Sequence, residues 1–450
     1  MLAHHDAAGS PDDLLIRGVR IFDGTQIVPA DSLLVRGGVI TEIGTGLAAP
    51  PQIQVVEGAG GTLLPGLIDS HVHALRPDNL GQALAFGVTT ELDMFCVPPH
   101  VQQLRQAAAT RLDVADFRSA GIGATAPGGH PTQLVTWGVY PEFPTLPGPE
   151  QAEGFVAARV AEGVDYIKVF VEDGSLWGQV RQVLSAESVR AVIAAAHAHG
   201  KMVLVHADSG ATARMVLDAG ADALAHHPND PDPDGELVGR IAHGGQFVIP
   251  TLRMPAAFAP DRRGIGNRDL LDHPDIGPYL DPQTRHFMTQ PPPPPVDVPK
   301  DFTRRGLDFA GALRITRALH EAGVPLLAGT DAIPVAGHGV GLHRELELLV
   351  EAGLTPAQAL AAATSVPARC FGLTDRGRLA PGLAADLLLV EGGPTDEITA
   401  TRNIRGIWRR GARFDRAAYR ASLPGHDTQD GRRTAVRSHH STNRGVPRPQ

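Results

Sequence analysis

Short apolar runs alternate with amphipathic helical patterns through the middle of the chain, from about residue 65 to 372. Eight of these runs carry a polar or charged residue at or near their end: LLPGLIDSHVH, GVTTELDMF, RSAGIGATAPGGH, VDYIKVFVED, KMVLVHAD, ADALAHH, QFVIPTL and VPLLAGTD. Apolar runs separated by helical patterns such as AESVRAVIAAAHAHG predict parallel strands covered on both faces. Eight repeats predict an α/β fold, a (β/α)8 TIM barrel with its active site at the carboxyl ends of the strands.

The two ends of the chain carry a different pattern, in which apolar and polar residues alternate around glycines. This pattern covers residues 13–64 and returns at 373–420, and it predicts short strands. Neither segment has enough strands to bury a core alone, so we expect both to form one small β-sandwich domain beside the barrel at 65–372. The polar tail at 421–450 is expected to be disordered.

The stretch from about 255 to 302 follows the seventh predicted strand and ends in QPPPPPVDVPK. It is too rich in proline for a predicted helix or central strand. A lid over the active site and a long surface loop both remain open interpretations.

Composition narrows the class of protein. The formal charge of −9 comes from 40 basic and 49 acidic residues, which argues against a nucleic-acid partner. Two distant cysteines, Cys96 and Cys370, exclude a disulfide framework and favour the cytoplasm. Neither a signal peptide nor an apolar run of membrane-spanning length is present, so we expect no membrane partner.

His71 and His73 flank Val72 at the end of the first predicted strand. Because side chains alternate along a strand, both imidazoles point to the same side, into the barrel mouth. Two neutral imidazoles on one side can share a metal cation. Alone, such a pair is weak evidence.

The preceding residues strengthen it, because GLIDSHVH closely resembles the opening motif of the amidohydrolase superfamily. GTD, RELELLVEAGLTPAQALAAATSVPARCFGL and GRLAPGLAADLLLV extend this resemblance over about residues 13–411, above all to prolidase-like and ochratoxinase-like members. It implies two divalent metal ions, expected to be zinc. The ligands that it implies are His71, His73, Lys168, His206, His226 and Asp331.

Lys168 lies in the apolar strand VDYIKVFV, where an uncompensated ammonium group would be strongly desolvated. A buried ion pair or a lysine that reaches the barrel rim would also explain it. The resemblance implies instead that Lys168 is N6-carboxylated and bridges the two ions.

Three further residues have weaker support. His130, in TAPGGHPTQ, resembles a histidine that orients the substrate or polarises its carbonyl, and a loop histidine with no role is the alternative. Tyr140 is a candidate to hydrogen-bond the developing oxyanion. His227 follows the sixth-strand ligand His226, so we expect it to point outward or to contact substrate.

These residues predict a metal-dependent amidohydrolase in which a metal-bridging hydroxide attacks an amide, peptide-like, carbamate or lactone bond, with Asp331 as ligand and proton shuttle. An N-acyl amino acid or dipeptide-like amide is the expected small-molecule substrate, and a homo-oligomer is expected. The first alternative is a mononuclear deaminase or imidazolonepropionase-like hydrolase. Deaminases commonly have a glutamate after the fifth-strand histidine, whereas His206 is followed by ADSG. The second alternative is a non-catalytic barrel scaffold.

Overall fold

The structure is a computed structural model that describes residues 12–174, 180–228, 235–258, 267–289, 309–332 and 337–424. Its strands are β1 (Leu14–Arg17), β2 (Arg20–Phe22), β3 (Ile27–Val28), β4 (Ser32–Arg36), β5 (Val39–Gly44), β6 (Gln54–Glu57), β7 (Thr62–Pro65), β8 (Leu67–Val72), β9 (Val88–Asp93), β10 (Asp116–Ser119), β11 (Ile167–Phe170), β12 (Val203–His206), β13 (Ala223–Leu224), β14 (Phe247–Val248), β15 (Leu387–Val390), β16 (Ile404–Arg409) and β17 (Ala412–Arg413).

The α-helices lie mainly between the barrel strands. They are α1 (Pro77–Ala85), α2 (Pro98–Thr110), α3 (Gln133–Thr136), α4 (Ala152–Ala161), α5 (Ala186–Ala198), α6 (Gly210–Asp218), α7 (Gly235–Gly244), α8 (Arg253–Phe258), α9 (Arg268–Asp272), α10 (Pro282–Thr289), α11 (Phe309–Glu321), α12 (Val340–Glu351), α13 (Pro356–Ala362), α14 (Ser365–Cys370) and α15 (Arg416–Ser422). Short 3-10 turns lie at Pro149–Gln151, Gly277–Tyr279 and Ile398–Arg402.

Strands β8 to β14 form two parallel sheets, ordered β10-β9-β8 and β11-β12-β13-β14. Three isolated parallel bridges join them into a ring: Ala124 to Val169, Val248 to Leu326, and Val72 to Ala332. Residues 326–332 thus take the place of an eighth strand between β14 and β8. This pairing accounts for all eight predicted strands in their predicted order.

The interior of the ring is filled by side chains from successive strands, among them Ile68, Leu92, Tyr166, Leu204 and Leu327. Side chains on a strand repeat their direction every two residues, so an interior position near the bottom of a strand leads to another nearer its carboxyl end. Lys168 follows Tyr166 in this way, and His206 follows Leu204. The sequence thereby directs polar groups into the barrel mouth.

The helices are set by local signals. Ser185 caps α5 by accepting a hydrogen bond from the Ser188 amide. Reciprocal bonds between Ser209 and Thr212 begin α6, and the same arrangement of Thr355 and Gln358 begins α13. Their apolar faces pack in the large core around the barrel. The alternation of helix and strand thus follows from the sequence pattern.

The two chain ends meet in one six-stranded sheet, ordered β17-β16-β15-β7-β2-β3. Its centre is the antiparallel pairing of β15 with β7, in which Leu388 lies opposite Leu64. A second sheet, β5-β4-β1-β6, shares a core with it in which Trp408 and Leu387 pack with residues such as Leu14 and Val35. Strands from both flanks thus share one sheet and one core.

The structure corrects the prediction for residues 255–302. Its described parts include helices α9 and α10 and the end of α8, so the expectation that proline excludes helix is wrong there. Pro282 occupies the first position of α10, where the missing amide hydrogen does no harm. Residues 259–266 and 290–302 lie outside the described residues, as do residues 425–450 of the tail predicted at 421–450. Among the described helices, none is long and apolar enough to cross a membrane.

Candidate metal centre

Asp331, His71 and His73 form the first group of candidate ligands. Backbone bonds between the eighth strand and the first fix their relative positions, because the Asp331 amide donates to the His71 carbonyl at 2.8 Å. Asp331 has a φ of 53°, an uncommon conformation for a residue other than glycine. Its Oδ1 lies 2.9 Å from Nε2 of His73 and 3.4 Å from Nε2 of His71.

These distances fit a common metal ion. Two donors that each lie about 2.0–2.2 Å from a tetrahedral zinc ion are about 3.4 Å from each other. Burial works to raise the pKa of Asp331, but the imidazoles of His71 and His73 bring it well below its usual range, so the carboxylate is ionised. A carboxylate oxygen and two imidazole nitrogens are suitable ligands for zinc.

Asp69 ties the two strands together beneath this group. Its Oδ1 accepts hydrogen bonds from the amides of His71 and Thr330, and its Oδ2 accepts the Thr330 hydroxyl at 2.6 Å. Gly329 permits the close approach, since an added Cβ would lie 2.9 Å from Cβ of His71. Neither residue was singled out from the sequence, although Asp69 stands two positions before His71.

Five imidazoles form a continuous row across the barrel mouth, in the order His73, His71, His226, His206 and His130. Successive ring centroids lie 5.4, 4.8, 4.3 and 5.0 Å apart. Burial, aided by neighbouring basic groups, lowers the pKa of His71, His206 and His226 well below its usual value. These three rings are therefore neutral at neutral pH, as metal ligands must be.

Glu172 stands at the far end of this row and forms a second group with His130 and His206. Its Oε2 lies 2.9 Å from Nδ1 of His130 and 3.7 Å from Nε2 of His206. Its Oε1 lies 3.3 Å from the Arg181 guanidinium. Burial opposes ionisation, but these neighbours, His130 above all, lower the pKa of Glu172 to about 2.

Lys168 is the second residue of β11 and is fully buried. Its Nζ makes no hydrogen bond with any described residue and lies 5.3 Å from the centroid of the Phe170 ring. Burial lowers the pKa of its amine to about 7. A buried amine without a hydrogen bond is destabilising, so Lys168 is the residue of this site that most requires a further binding partner.

His226 is oriented by Thr251, which follows β14. Nδ1 of His226 lies 2.7 Å from the Thr251 hydroxyl, and that hydroxyl donates to the Pro250 carbonyl. The hydroxyl hydrogen is thus committed, so Nδ1 of His226 carries the proton and donates. Nε2 then keeps its lone pair for a metal ion.

Two of the candidate substrate residues, His227 and Tyr140, are buried. His227 is buried rather than turned outward, and its Nδ1 lies 2.8 Å from the Pro250 carbonyl. Tyr140 is buried against Phe95, and its hydroxyl lies 3.4 Å from the Phe95 carbonyl. His130, in contrast, lies directly beside His206 and Glu172.

A cavity of about 510 Å³ lies at the other end of the strands, lined by residues such as Arg118, Tyr166, Met202 and Phe371. Tyr166 and Met202 stand at the amino ends of β11 and β12. Active sites of such barrels lie at the carboxyl ends of the strands, where the imidazole row is found. The row, rather than this cavity, is therefore the candidate active site.

Comparisons with known proteins agree with this arrangement. A model of the amidohydrolase family matches residues 295–413. An imidazolonepropionase from Deinococcus deserti is 25% identical over 446 residues, with 88% of this chain and 95% of that protein covered. A solved structure described as a candidate prolidase from Bifidobacterium longum is 25% identical, with a TM-score of 0.72 over 90% of this chain and 95% of that one. The ochratoxinase of A. niger has the same fold at 18% identity, with a TM-score of 0.70 over 90% of this chain and 96% of that one.

The fold and the imidazole row define a TIM-barrel hydrolase with a site for divalent metal. The amidohydrolase family model over residues 295–413 and the similar proteins support the superfamily that the opening motif predicted and a hydrolase acting on carbon–nitrogen bonds. The prediction of an enzyme is confirmed, and the alternative of a non-catalytic scaffold is set aside.

Proposed function

We propose that the protein uses two zinc ions to hydrolyse an amide bond in a small N-acyl amino acid or dipeptide-like substrate. His71, His73 and Asp331 would hold the first ion. His206 and His226 would hold the second, and carboxylated Lys168 would supply oxygen ligands to both. The row of imidazoles, which begins beside Asp331, is the observation that supports this proposal most strongly.

Bound divalent ions supply two kinds of chemistry, because they lower the pKa of water and polarise a carbonyl oxygen. The protein supplies the proton transfer. Asp331 is ionised and lies beside the histidine pair, so its carboxylate can accept a proton from the attacking water and deliver it to the leaving nitrogen. Asp69 keeps this carboxylate in place through Thr330 and the His71 amide.

Carboxylation of Lys168 would join its Nζ to the carbon of CO2, with loss of a proton from nitrogen. The product is an anion, which replaces a lone buried amine by oxygen ligands for two cations. Lys168→Ala should therefore lose most activity, and a small carboxylate added to the solution should restore part of it. Full activity in Lys168→Ala would exclude this role.

The substrate class rests on the similar structures, which include a Xaa-Pro dipeptidase and ochratoxinase. We expect hydrolysis of N-acyl amino acids and dipeptide-like amides in a panel that also holds carbamates, lactones and esters. Activity confined to lactones or esters would contradict the amide assignment. His130 and Tyr140 are the residues proposed to contact this substrate, and His227 is a further candidate.

A mononuclear hydrolase is the second candidate, and the similarity to an imidazolonepropionase over most of the chain favours it. Metal content separates the two possibilities. After removal of metal and reconstitution with zinc, two ions per chain at full activity support the binuclear proposal. One ion per chain at full activity supports the mononuclear one.

Two proposals concern organisation. Residues 13–64 and 373–420 form one β-sandwich domain beside the barrel at 65–372, as their shared sheet suggests. The protein is also proposed to be a homo-oligomer, which sedimentation of the purified protein tests.

A further inference from the structure

We propose that Glu172 is a direct ligand of the second metal ion, in addition to His206 and His226, with His130 beside its carboxylate. The inference rests on the proposed function, and it gives the second ion a protein carboxylate in addition to the carboxylated Lys168. Glu172 was not among the ligands that the sequence predicted. It lies four positions after Lys168, where the chain leaves β11.

The geometry around Glu172 repeats that around Asp331. In each group one carboxylate oxygen faces two imidazole nitrogens, at 2.9 and 3.4 Å for Asp331 and at 2.9 and 3.7 Å for Glu172. Both sets lie close to the separation of about 3.4 Å expected for two donors on one zinc ion. The two carboxylates also stand at opposite ends of the same imidazole row.

An ion pair with Arg181 accounts for only half of the Glu172 carboxylate. The guanidinium lies 3.3 Å from Oε1, whereas Oε2 faces His130 and His206. This division suits a carboxylate that binds a metal through one oxygen while an arginine holds the other. Because Glu172 is 2% exposed, water is a poor substitute for either partner.

The contacts of His130 point the same way. Its Nδ1 lies within 3.0 Å of three groups, the Glu172 carboxylate, the Gln133 side-chain amide and the Arg181 guanidinium. This nitrogen either donates one hydrogen or offers one lone pair, and a guanidinium can only donate. No single protonation state of His130 satisfies all three contacts at once.

The first experiment measures zinc bound per chain and the dissociation constant of each ion after reconstitution. Glu172→Gln should weaken the second ion at least tenfold and leave the first unchanged. Glu91→Gln is the matched control, because Glu91 is also buried and lies 2.8 Å from a histidine nitrogen, that of His338. It should keep both ions. Unchanged affinity for the second ion in Glu172→Gln would overturn the proposal.

Crystals of the zinc-loaded wild-type protein give a second readout that does not depend on a variant that folds. Anomalous scattering at the zinc edge should place one ion about 2.0–2.2 Å from a Glu172 oxygen. A second ion bound only among Lys168, His206 and His226 would exclude Glu172 while leaving the proposed function intact. A protein with no ion beside Asp331 would instead overturn the proposed function itself.

Discussion

The hydroxyl of Thr251 lies 2.7 Å from Nδ1 of His226, and Thr251 holds this position with a φ of 51°. A left-handed conformation is costly for a β-branched residue, so the surroundings must stabilise it. Glu345 does so, because its carboxylate accepts hydrogen bonds from the amides of Leu252 and Arg253, the next two residues. The buried Glu345 carboxylate on α12 thereby holds Thr251 in the position from which it orients His226.

Thr251→Val should weaken binding of the second ion by about 10-fold to 100-fold, because it removes the group that orients His226. The side chain keeps its size and branching, so loss of the hydroxyl is the main change. Titration of the metal-free protein with zinc measures the effect. Thr316→Val is the control, since the Thr316 hydroxyl is buried and makes no hydrogen bond with any described residue. Equal affinities in both variants would show that Thr251 does not orient His226.

Gly329→Ala should destabilise the protein by about 1–3 kcal/mol and weaken binding of the first ion. The added Cβ would lie 2.4 Å from Cγ2 of Ile249 and 2.9 Å from Cβ of His71, so the eighth strand must move away from the first. Urea unfolding and zinc titration measure the two effects. Gly239→Ala in α7 has open space around its Cβ and should keep or raise stability. Normal zinc affinity in Gly329→Ala would show that the spacing between the first and eighth strands does not determine the geometry of the first metal site.

Local patterns explain which parts of the site could be predicted. His71 and His73 stand two positions apart at the end of an apolar strand, and the two-residue period predicts that they point to the same side. Lys168, His206, His226 and Asp331 were implied as ligands by the resemblance to the amidohydrolase superfamily. These residues need only the strand order to bring them together, and the barrel provides it.

Glu172 and Thr251 were given no role from the sequence, although each stands near the end of one of the eight apolar runs. Each follows the end of a strand, and its position depends on a loop conformation that the apolar pattern does not encode. His226 and His227 show the same limit, since adjacent residues normally point to opposite sides but both are buried here. Helix α10, in the described part of residues 255–302, was missed because proline at the first position of a helix is well tolerated.

Metal-free protein should reveal the lowered pKa of His226 in its stability. The unfolded chain protonates this histidine below pH about 6.5, whereas burial keeps it neutral in the folded protein. The free energy of unfolding therefore decreases as the pH is lowered below about 6.5, by up to about 1.4 kcal/mol per pH unit for this residue. Buried carboxylates such as Asp69 and Asp93, whose pKa values are raised to about 7 by burial, act in the opposite direction.

A comparison of variants isolates the histidine. The difference in unfolding free energy between wild type and His226→Asn should change as the pH falls from 7.5 to 5.5, with wild type losing relative stability. Replacement of the exposed His243 by Asn should give a curve parallel to that of wild type. A curve for His226→Asn that is also parallel would show that His226 is not held neutral.

Deletion of either flank, residues 13–64 or 373–420, should destabilise the other, because β7 and β15 lie side by side at the centre of one sheet. Leu388 packs closely on Gly87, where an added Cβ would lie 2.8 Å from the Leu388 side chain. A chain of residues 65–372 alone would lack Leu388 and would expose this surface of the barrel. Thermal unfolding measures the loss. Removal of residues 425–450 is the control and should have little effect. Undiminished stability of the 65–372 chain would contradict the shared domain.

Asp331→Asn should reduce turnover steeply while substrate binding changes little. The amide keeps the size of the side chain and one oxygen ligand, but it loses the negative charge and most of the proton affinity. Loss of a general acid or base typically lowers rates by about 10²-fold to 10⁴-fold. Because Oδ1 of Asp331 lies 2.9 Å from His73 and 3.4 Å from His71, the first ion is also at risk, and zinc must be measured on the same sample. A variant that has lost zinc would report on ligation only. If Asp331→Asn retains near-normal turnover with both ions bound, another group moves the proton, and His130, at the other end of the row, is the next residue to replace.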